Sequence, residues 1–336
     1  MLVCQPGFEA LLALETTGAG FPAVETGAGW VRTAALPGGS PPDLAFAHEI
    51  LVEPVEITGD SVNALAAGLA SHFFATARTE RFEEAWPLRF AASNAFDGLG
   101  RRMDAVTKAF DELLRKKMAR VARLATPEKP RGAARVRGLF VYFVDFRRAF
   151  VAREAVFAGQ RRMADDPLAP SRSYLKVEEA AVVLGRGPAA GETVVDLGAA
   201  PGGWSYSAAR HGAKVIAVDN GPLKGGALDH PLIEHRREDA FRFEPPAGTV
   251  YDWLFCDLVE EPHHVLQNLI GPWLERRWCR RFVVNLKFGR VDPIALLREL
   301  RAAESPLVRH AASFRVLHLY HDREEFTVVG ETRGEC

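Results

Sequence analysis

The sequence predicts a two-part, multidomain protein: an α+β N-terminal half followed by an α/β half built on a mostly parallel sheet. Three observations predict it. A length of 336 residues exceeds one ordinary core and points to two or three domains. From Val177 onward, strands alternate with helices, the pattern of a parallel sheet. Val194 to Trp204 joins an apolar β-branched run to a Gly/Pro turn and a helix start, the mouth of a nucleotide-type site.

In the first 60 residues, a short strand (Leu2 to Cys4), a turn at Pro6-Gly7 and a helix over Phe8 to Glu15 are expected. Alternating stretches follow near Gly29 to Ala35 and Phe46 to Val55, and 36–42 reads as a loop. Asp60 or Ser61 is an N-cap for a helix through about Thr76, with Leu65, Leu69 and Phe73 on one face. Trp86 to Ala92 alternates as a strand. A longer helix is expected from Arg101 to Ala125, and a hairpin joins Gly138–Phe146 to Ala149–Phe157 at Arg147-Arg148. Pro167 to Ser173 reads as a linker. The expected domains are 1–60, 61–160, a linker over 161–175, and 176–336.

In the last domain the expected strands are Thr193 to Leu197, Lys214 to Asp219, Asp252 to Asp257 and Arg281 to Lys287, then Ser313 to Tyr320 and Glu325 to Gly330. Helices are expected over Val177–Leu184, Ser205–His211, His264–Arg277 and Pro293–Glu304. The closing hairpin places one antiparallel strand in the sheet.

Composition is globular, with 48% hydrophobic and 25% charged residues. No apolar run reaches the roughly 18 residues of a membrane span, and the first residues lack the features of a signal peptide. Cys4, Cys256, Cys279 and Cys336 have neither CxxC nor CxxH spacing, so no disulfide framework or zinc site is expected. These features predict a soluble cytoplasmic protein. Net charge is −1, yet residues 1–60 carry eight acids and one base while 101–162 carry seventeen bases and six acids. That asymmetry predicts a polyanion footprint, RNA or DNA, on the basic block.

The turn Gly198-Ala-Ala-Pro-Gly-Gly203 lacks the G-x-G-x-x-G of a dinucleotide site and the Gly-Lys-Ser/Thr of a phosphate loop. Asp219 ends the next strand, 21 residues after Gly198, where an acid can bind both ribose hydroxyls. Asp239 can accept from an adenine amino group. Ribose and adenine without phosphate favour S-adenosylmethionine over NAD.

Asp196-Leu-Gly-Ala-Ala-Pro-Gly-Gly-Trp204 resembles the first motif of the FtsJ-type, Rossmann-like ribose 2′-O-methyltransferases. The likeness extends over Ser171–Ala180, Val218–Pro222, Arg237–Phe243, Cys256-Asp257, Asn285-Leu-Lys287 and Leu319–Glu325. Together with Val3–Glu9, that set is similar to the RlmM-type 23S ribosomal RNA cytidine branch, across nearly the whole chain. The resemblance implies a ferredoxin-like unit and a THUMP RNA-binding domain ahead of a class I methyltransferase sheet. It also implies a Lys-Asp-Lys-Glu constellation, here Lys176, Asp257, Lys287 and Glu325, and a cofactor site at Ser173, Ala200, Pro201, Gly202, Gly203, Asp219, Asp239 and Asp257. The family often has cysteine where this chain has Ala200, so the contact there is expected through backbone. No metal is implied.

Methyl transfer from a sulfonium to a hydroxyl is an in-line displacement that needs alignment and proton help, the latter worth about 10²–10⁴ in rate. Lys287, closing a strand, is the expected base or an essential positioning group. A lysine base needs a pKa well below the usual value of about 10.4, which Lys176 and burial would lower and the two acids would oppose.

Other readings remain. A cytosine C5-methyltransferase needs a nucleophilic cysteine, and Cys256 follows Phe255 inside an apolar strand. An amino-methyltransferase needs an Asn/Asp-Pro-Pro-aromatic loop where this chain has Asp257-Leu-Val-Glu. A small-molecule or protein methyltransferase has no need of a large cationic platform. A 2′-O-methyltransferase of another structured RNA, such as tRNA, and a non-catalytic RNA-binding protein with this fold stay open, because cytidine and 23S rRNA come from the resemblance alone.

Overall fold

A computed structural model describes residues 1–34, 43–130 and 134–334. The loop expected at 36–42, and Cys336, lie outside the described residues. The chain forms two compact units, Met1–Gly159 and Gln160–Cys336.

The first unit contains β1 (Leu2–Val3), α1 (Glu9–Gly18), β2 (Ala23–Gly27), β3 (Trp30–Thr33), β4 (Glu49–Val52), β5 (Val55–Thr58), α2 (Val62–Thr76), β6 (Trp86–Ala92), α3 (Leu99–Lys117), α4 (Ala119–Leu124), β7 (Ala125–Thr126), β8 (Ala134–Phe143) and β9 (Arg148–Phe157). Its strands run in the order β2-β3-β1-β4-β9-β8-β6-β7, with β5 also on β9. β4 and β5 thus pair with β9, tying residues before 60 to residues after it. On one face α2 and α3 bury Leu65, Leu69, Phe73, Val106, Phe110 and Leu114. Phe73 stacks on Trp86 with ring centroids 5.2 Å apart and takes the Arg153 guanidinium over its ring at 4.9 Å.

Ser61 caps α2, its hydroxyl accepting from the Ala64 N–H at 3.1 Å. The helix expected over 101–125 is two helices, broken at Met118 (φ −141°, ψ 60°). The apolar spacing continues past the break, so periodicity alone misses it. The Trp86 indole donates to the Val121 carbonyl at 2.9 Å, and α4 hands over to β7 against β6.

The second unit contains α5 (Tyr174–Leu184), β10 (Thr193–Leu197), α6 (Gly203–Arg210), β11 (Lys214–Val218), β12 (Ile233–Arg236), β13 (Tyr251–Cys256), α7 (Pro262–Val265), α8 (Gly271–Glu275), β14 (Cys279–Lys287), α9 (Pro293–Arg301), α10 (Pro306–His310), β15 (Ala311–Leu317) and β16 (Glu325–Thr332). The sheet order is β12-β11-β10-β13-β14-β16-β15, and β16 runs antiparallel to both its neighbours. One antiparallel strand in a parallel sheet is what the closing hairpin predicted.

Three details differ from expectation. The helix expected over 264–277 is α7, a wide π-type turn over Leu266–Ile270, and α8. Pro272 at the head of α8 cannot extend an ordinary helical turn, since it has no N–H and its ring crowds the preceding carbonyls. α10 is an added turn that Ser305 caps through the Leu307 N–H. The stretch read as a linker is fastened to the second unit. There Asp166 accepts from Tyr206 Oη at 2.9 Å and Arg210 at 2.8 Å, and the Gly226 N–H donates to the Leu168 carbonyl at 2.8 Å.

Candidate active site

The site lies at the carboxyl edge of the second sheet. Parallel register sets Leu197 beside Val218 and Cys256, and Cys256 beside Val284. The residues that follow, Gly198, Asp219, Asp257 and Asn285, therefore come level at one edge, where ligands bind in such sheets.

The loop after β10 requires its glycines. Gly198 and Gly202 have φ of +81° and +105°, which L side chains rarely adopt. A Cβ on Gly203 would lie 2.7 Å from Ser171 Oγ and 2.8 Å from Ser173 Oγ. Those two hydroxyls are bonded to each other at 2.8 Å, and Trp204 Nε1 donates to the Ser173 carbonyl at 2.9 Å. Asp219 spans the loop mouth, its two carboxylate oxygens accepting from Ala200 N at 2.9 Å and Gly221 N at 2.7 Å. Each oxygen keeps a lone pair for a ribose hydroxyl. The donor set therefore fits a nucleoside. Asp239 is half-exposed; it accepts from Phe241 N at 2.9 Å and lies 3.6 Å from Arg242 Nε.

Lys176, Asp257, Lys287 and Glu325, far apart in sequence, converge. Lys287 ends β14 and stands opposite Glu325 at the start of β16. Its Nζ lies 2.8 Å from Asp257 Oδ1. Lys176, in the first turn of α5, lies 2.7 Å from Glu325 Oε1 and 3.8 Å from Asp257 Oδ2. Burial works against the Lys176 ammonium, but Asp257 and Glu325 outweigh it and hold its pKa above the lysine range. Burial likewise opposes the Glu325 carboxylate, and Lys176 overrides it, keeping that group below its usual value. Lys176 is thus a fixed cation. Lys287, with a quarter of its side chain exposed against a tenth for Lys176, is the lysine open to a substrate.

Sequence reasoning missed the second layer. Asp196 is buried beneath the loop, where Ser205 donates to it at 2.6 Å; burial pushes its pKa up to about 7 despite that bond. Glu179, one turn after Lys176 on α5, is fully buried. It accepts from the N–H groups of Arg161 at 3.0 Å, Tyr320 at 3.0 Å and His321 at 3.2 Å. Asn285, Thr327 and Asp322 form a buried polar chain behind Asp257. Asn285 and Asp322 fall inside the motif stretches, but only as polar letters. Cys256 and Cys279 are core thiols, pushed up to about 12 by burial.

In the first unit the basic block divides in two. On β8 and β9 the arginines are consumed by acids: Arg135 pairs with Glu154 at 2.7 Å, Arg148 with Glu56 at 2.7 Å and Glu25 at 2.9 Å, and Arg153 with Glu80 at 2.6 Å. Arg137 bridges Glu80 and Glu154. These pairs offset much of the positive charge of the strand half. On α3 and α4, Arg101, Lys108, Arg115, Lys116, Lys117, Arg120 and Arg123 are exposed, and of these Arg115 pairs with Asp111 at 2.8 Å.

Residues 169–309 match the family described as FtsJ-like methyltransferase. The chain is 35% identical over 355 aligned residues to the ribosomal RNA large subunit methyltransferase M of Laribacter hongkongensis, covering 98% of this chain and 95% of that protein. It is 33% identical to the protein of that name from Alkalilimnicola ehrlichii, covering 98% and 93%. For the one from Stenotrophomonas maltophilia strain R551-3 the figures are 34% identity, 98% and 96%. The chain therefore belongs to the ribosomal RNA large subunit methyltransferase M family, enzymes with an FtsJ-like domain whose methyl donor is S-adenosylmethionine.

Proposed function

We propose that this enzyme methylates the 2′-hydroxyl of a cytidine ribose in 23S ribosomal RNA, in the cytoplasm. The observation that carries the reading is the convergence of Lys176, Asp257, Lys287 and Glu325 at the edge that also carries the glycine loop. S-adenosylmethionine supplies an electrophilic methyl group on a sulfonium. Ser173, Ala200, Pro201, Gly202, Gly203, Asp219, Asp239 and Asp257 are its binding residues in this reading, with Asp219 on the ribose and Asp239 on the adenine.

Lys287 presents Nζ to the substrate hydroxyl, orients it and takes its proton; it serves as a base only in its neutral form. Asp257 holds that nitrogen in place at 2.8 Å. Lys176, paired with Glu325, lies 3.8 Å from Asp257 and shares that carboxylate with Lys287. Each of these groups is supported by burial and by partners, so the geometry is set before substrate arrives.

We further assign 1–60 as the ferredoxin-like part and 61–160 as the THUMP-like part, a pair that holds structured RNA through shape and phosphate contacts. The exposed cations of α3 and α4 support that role. The test is to map ribose methylations as nuclease-resistant dinucleotides in 23S rRNA from cells with and without the protein. Loss of one 23S site is the expected result. Loss of a site in tRNA instead would move the substrate to another RNA, and no loss anywhere would favour a non-catalytic RNA-binding protein.

A further inference from the structure

Thr327 Oγ1 faces three acceptor atoms with a single proton to give. It lies 2.7 Å from Asn285 Oδ1, and 3.0 Å from both Oδ1 and Oδ2 of Asp322. The amide of Asn285 is turned by Asp257, whose carboxylate, shared between two lysines, can only accept. Asn285 therefore directs Nδ2 at Asp257 Oδ1, 3.4 Å away, and Oδ1 at Thr327. The opposite orientation would set a carbonyl oxygen against a carboxylate.

With Asn285 so turned, its Oδ1 takes the Thr327 proton at the shortest of the three distances. Asp322, 2% exposed, is then left facing a hydroxyl oxygen, with no proton between them unless it carries one itself. The Leu319 N–H donates to Asp322 Oδ2 at 2.8 Å, which makes that atom the carbonyl oxygen and places the proton on Oδ1.

We propose that Asp322 is a neutral carboxylic acid in the working protein, a positioning residue that orients Asp257 through Thr327 and Asn285. The chain then runs in one direction: Asp322 O–H to Thr327, Thr327 O–H to Asn285, and Asn285 N–H to Asp257. The charged groups facing Asp322 are Lys176 from α5 and Glu325 from β16. Burial pushes Asp322 well above the usual carboxylate range, and Glu325 adds to that push against the pull of Lys176. Neutral Asp322 leaves Lys176 with two acidic partners, Asp257 and Glu325.

The role in catalysis rests on the proposed methyl transfer; the protonation state does not. Infrared difference spectra of the wild-type protein and Asp322→Asn, recorded near neutral pH without RNA, should show loss of a protonated-carboxyl C=O band. Loss of a carboxylate band would overturn the proposal. In methylation assays, Asp322→Ala should lower kcat about tenfold or more. Asp322→Asn should restore most of it, because its amide accepts from Leu319 and donates to Thr327 in the same places. Its pH profile should match that of the wild type; a displacement of about one pH unit would mean that Asp322 carries charge, and would overturn the proposal. Thr327→Val should lower kcat and Thr327→Ser rescue it, and failure of that rescue would break the chain at its middle. If the carboxyl band is found but the wild type methylates no RNA, the functional reading fails and the proton assignment stands.

Discussion

Lys176 and Glu325 form a 2.7 Å ion pair in which each side chain is only a tenth exposed. The pair joins the first turn of α5 to the start of β16, segments about 150 residues apart in the chain. Burying two charges is costly, and removing one partner strands the other. Lys176→Met should destabilise the protein by about 3–5 kcal/mol, measured by urea denaturation near neutral pH. The sign with pH follows from the two shifts. The Lys176 contribution is complete below its ordinary value of 10.5 and is lost only as pH rises through the higher folded value. The Glu325 contribution is present above 4.5 and is lost as pH falls through its lowered folded value. The gap between wild type and variant should therefore be flat across neutral pH and shrink in acid below 4.5. A gap that varies steadily between the two limits would contradict the assigned directions.

Lys287→Ala should abolish methylation, a loss of about 10²–10⁴ or more in kcat, while S-adenosylmethionine affinity by calorimetry stays within several-fold. Full activity in this variant would remove the lysine from the proton-transfer role. Affinity falling in parallel with rate would reassign it to cofactor binding.

Asp196 carries the opposite sign to Glu325. With its pKa raised from 3.8 to about 7, the folded protein holds a proton that the unfolded chain has already released. Stability therefore falls as pH rises through that window and stays reduced above it. A shift of that size corresponds to roughly 4 kcal/mol. Asp196→Asn, which still accepts from Ser205, should be more stable than wild type near pH 8 and no more stable near pH 4. Equal stabilities at both pH values would refute the shift.

The two halves of the basic block should separate in salt titrations of RNA binding. Neutralising Arg115, Lys116 and Lys117 to Gln should weaken binding and reduce the slope of log K against log salt, by about 0.7–0.9 for each phosphate that is no longer neutralised. Arg135→Gln, in a strand whose cations are already paired with Glu154 and Glu80, should leave the slope unchanged. Equal slope changes in the two variants would place the footprint on the strands as well.

The parts of the site legible in the sequence are those whose signal is local. Val194 to Trp204 carries its meaning within eleven residues, because β-branched residues, glycines and a proline each restrict the backbone where they stand. Lys287 and Asp257 were legible because each closes a β-strand or follows one directly, and strand ends face ligands in this sheet type. Thr327 and Asp322 were not. A threonine inside a strand and an aspartate in a turn are ordinary in those places, and only the 3.0 Å approach between them makes them a unit. The break at Met118 was hidden for a similar reason. The Trp86 indole that meets the Val121 carbonyl of α4 comes from a strand more than 30 residues earlier.

Glu179 sets which wall of the active site can move. Its carboxyl group gathers the backbone N–H groups of Arg161, Tyr320 and His321, so α5, the segment before it and the turn leading to Glu325 are sewn to one buried side chain. Swinging that turn away from α5 would leave a buried carboxyl without the Tyr320 and His321 donors in a single motion. The turn that leads to Glu325 thus stands as a fixed back wall of the site.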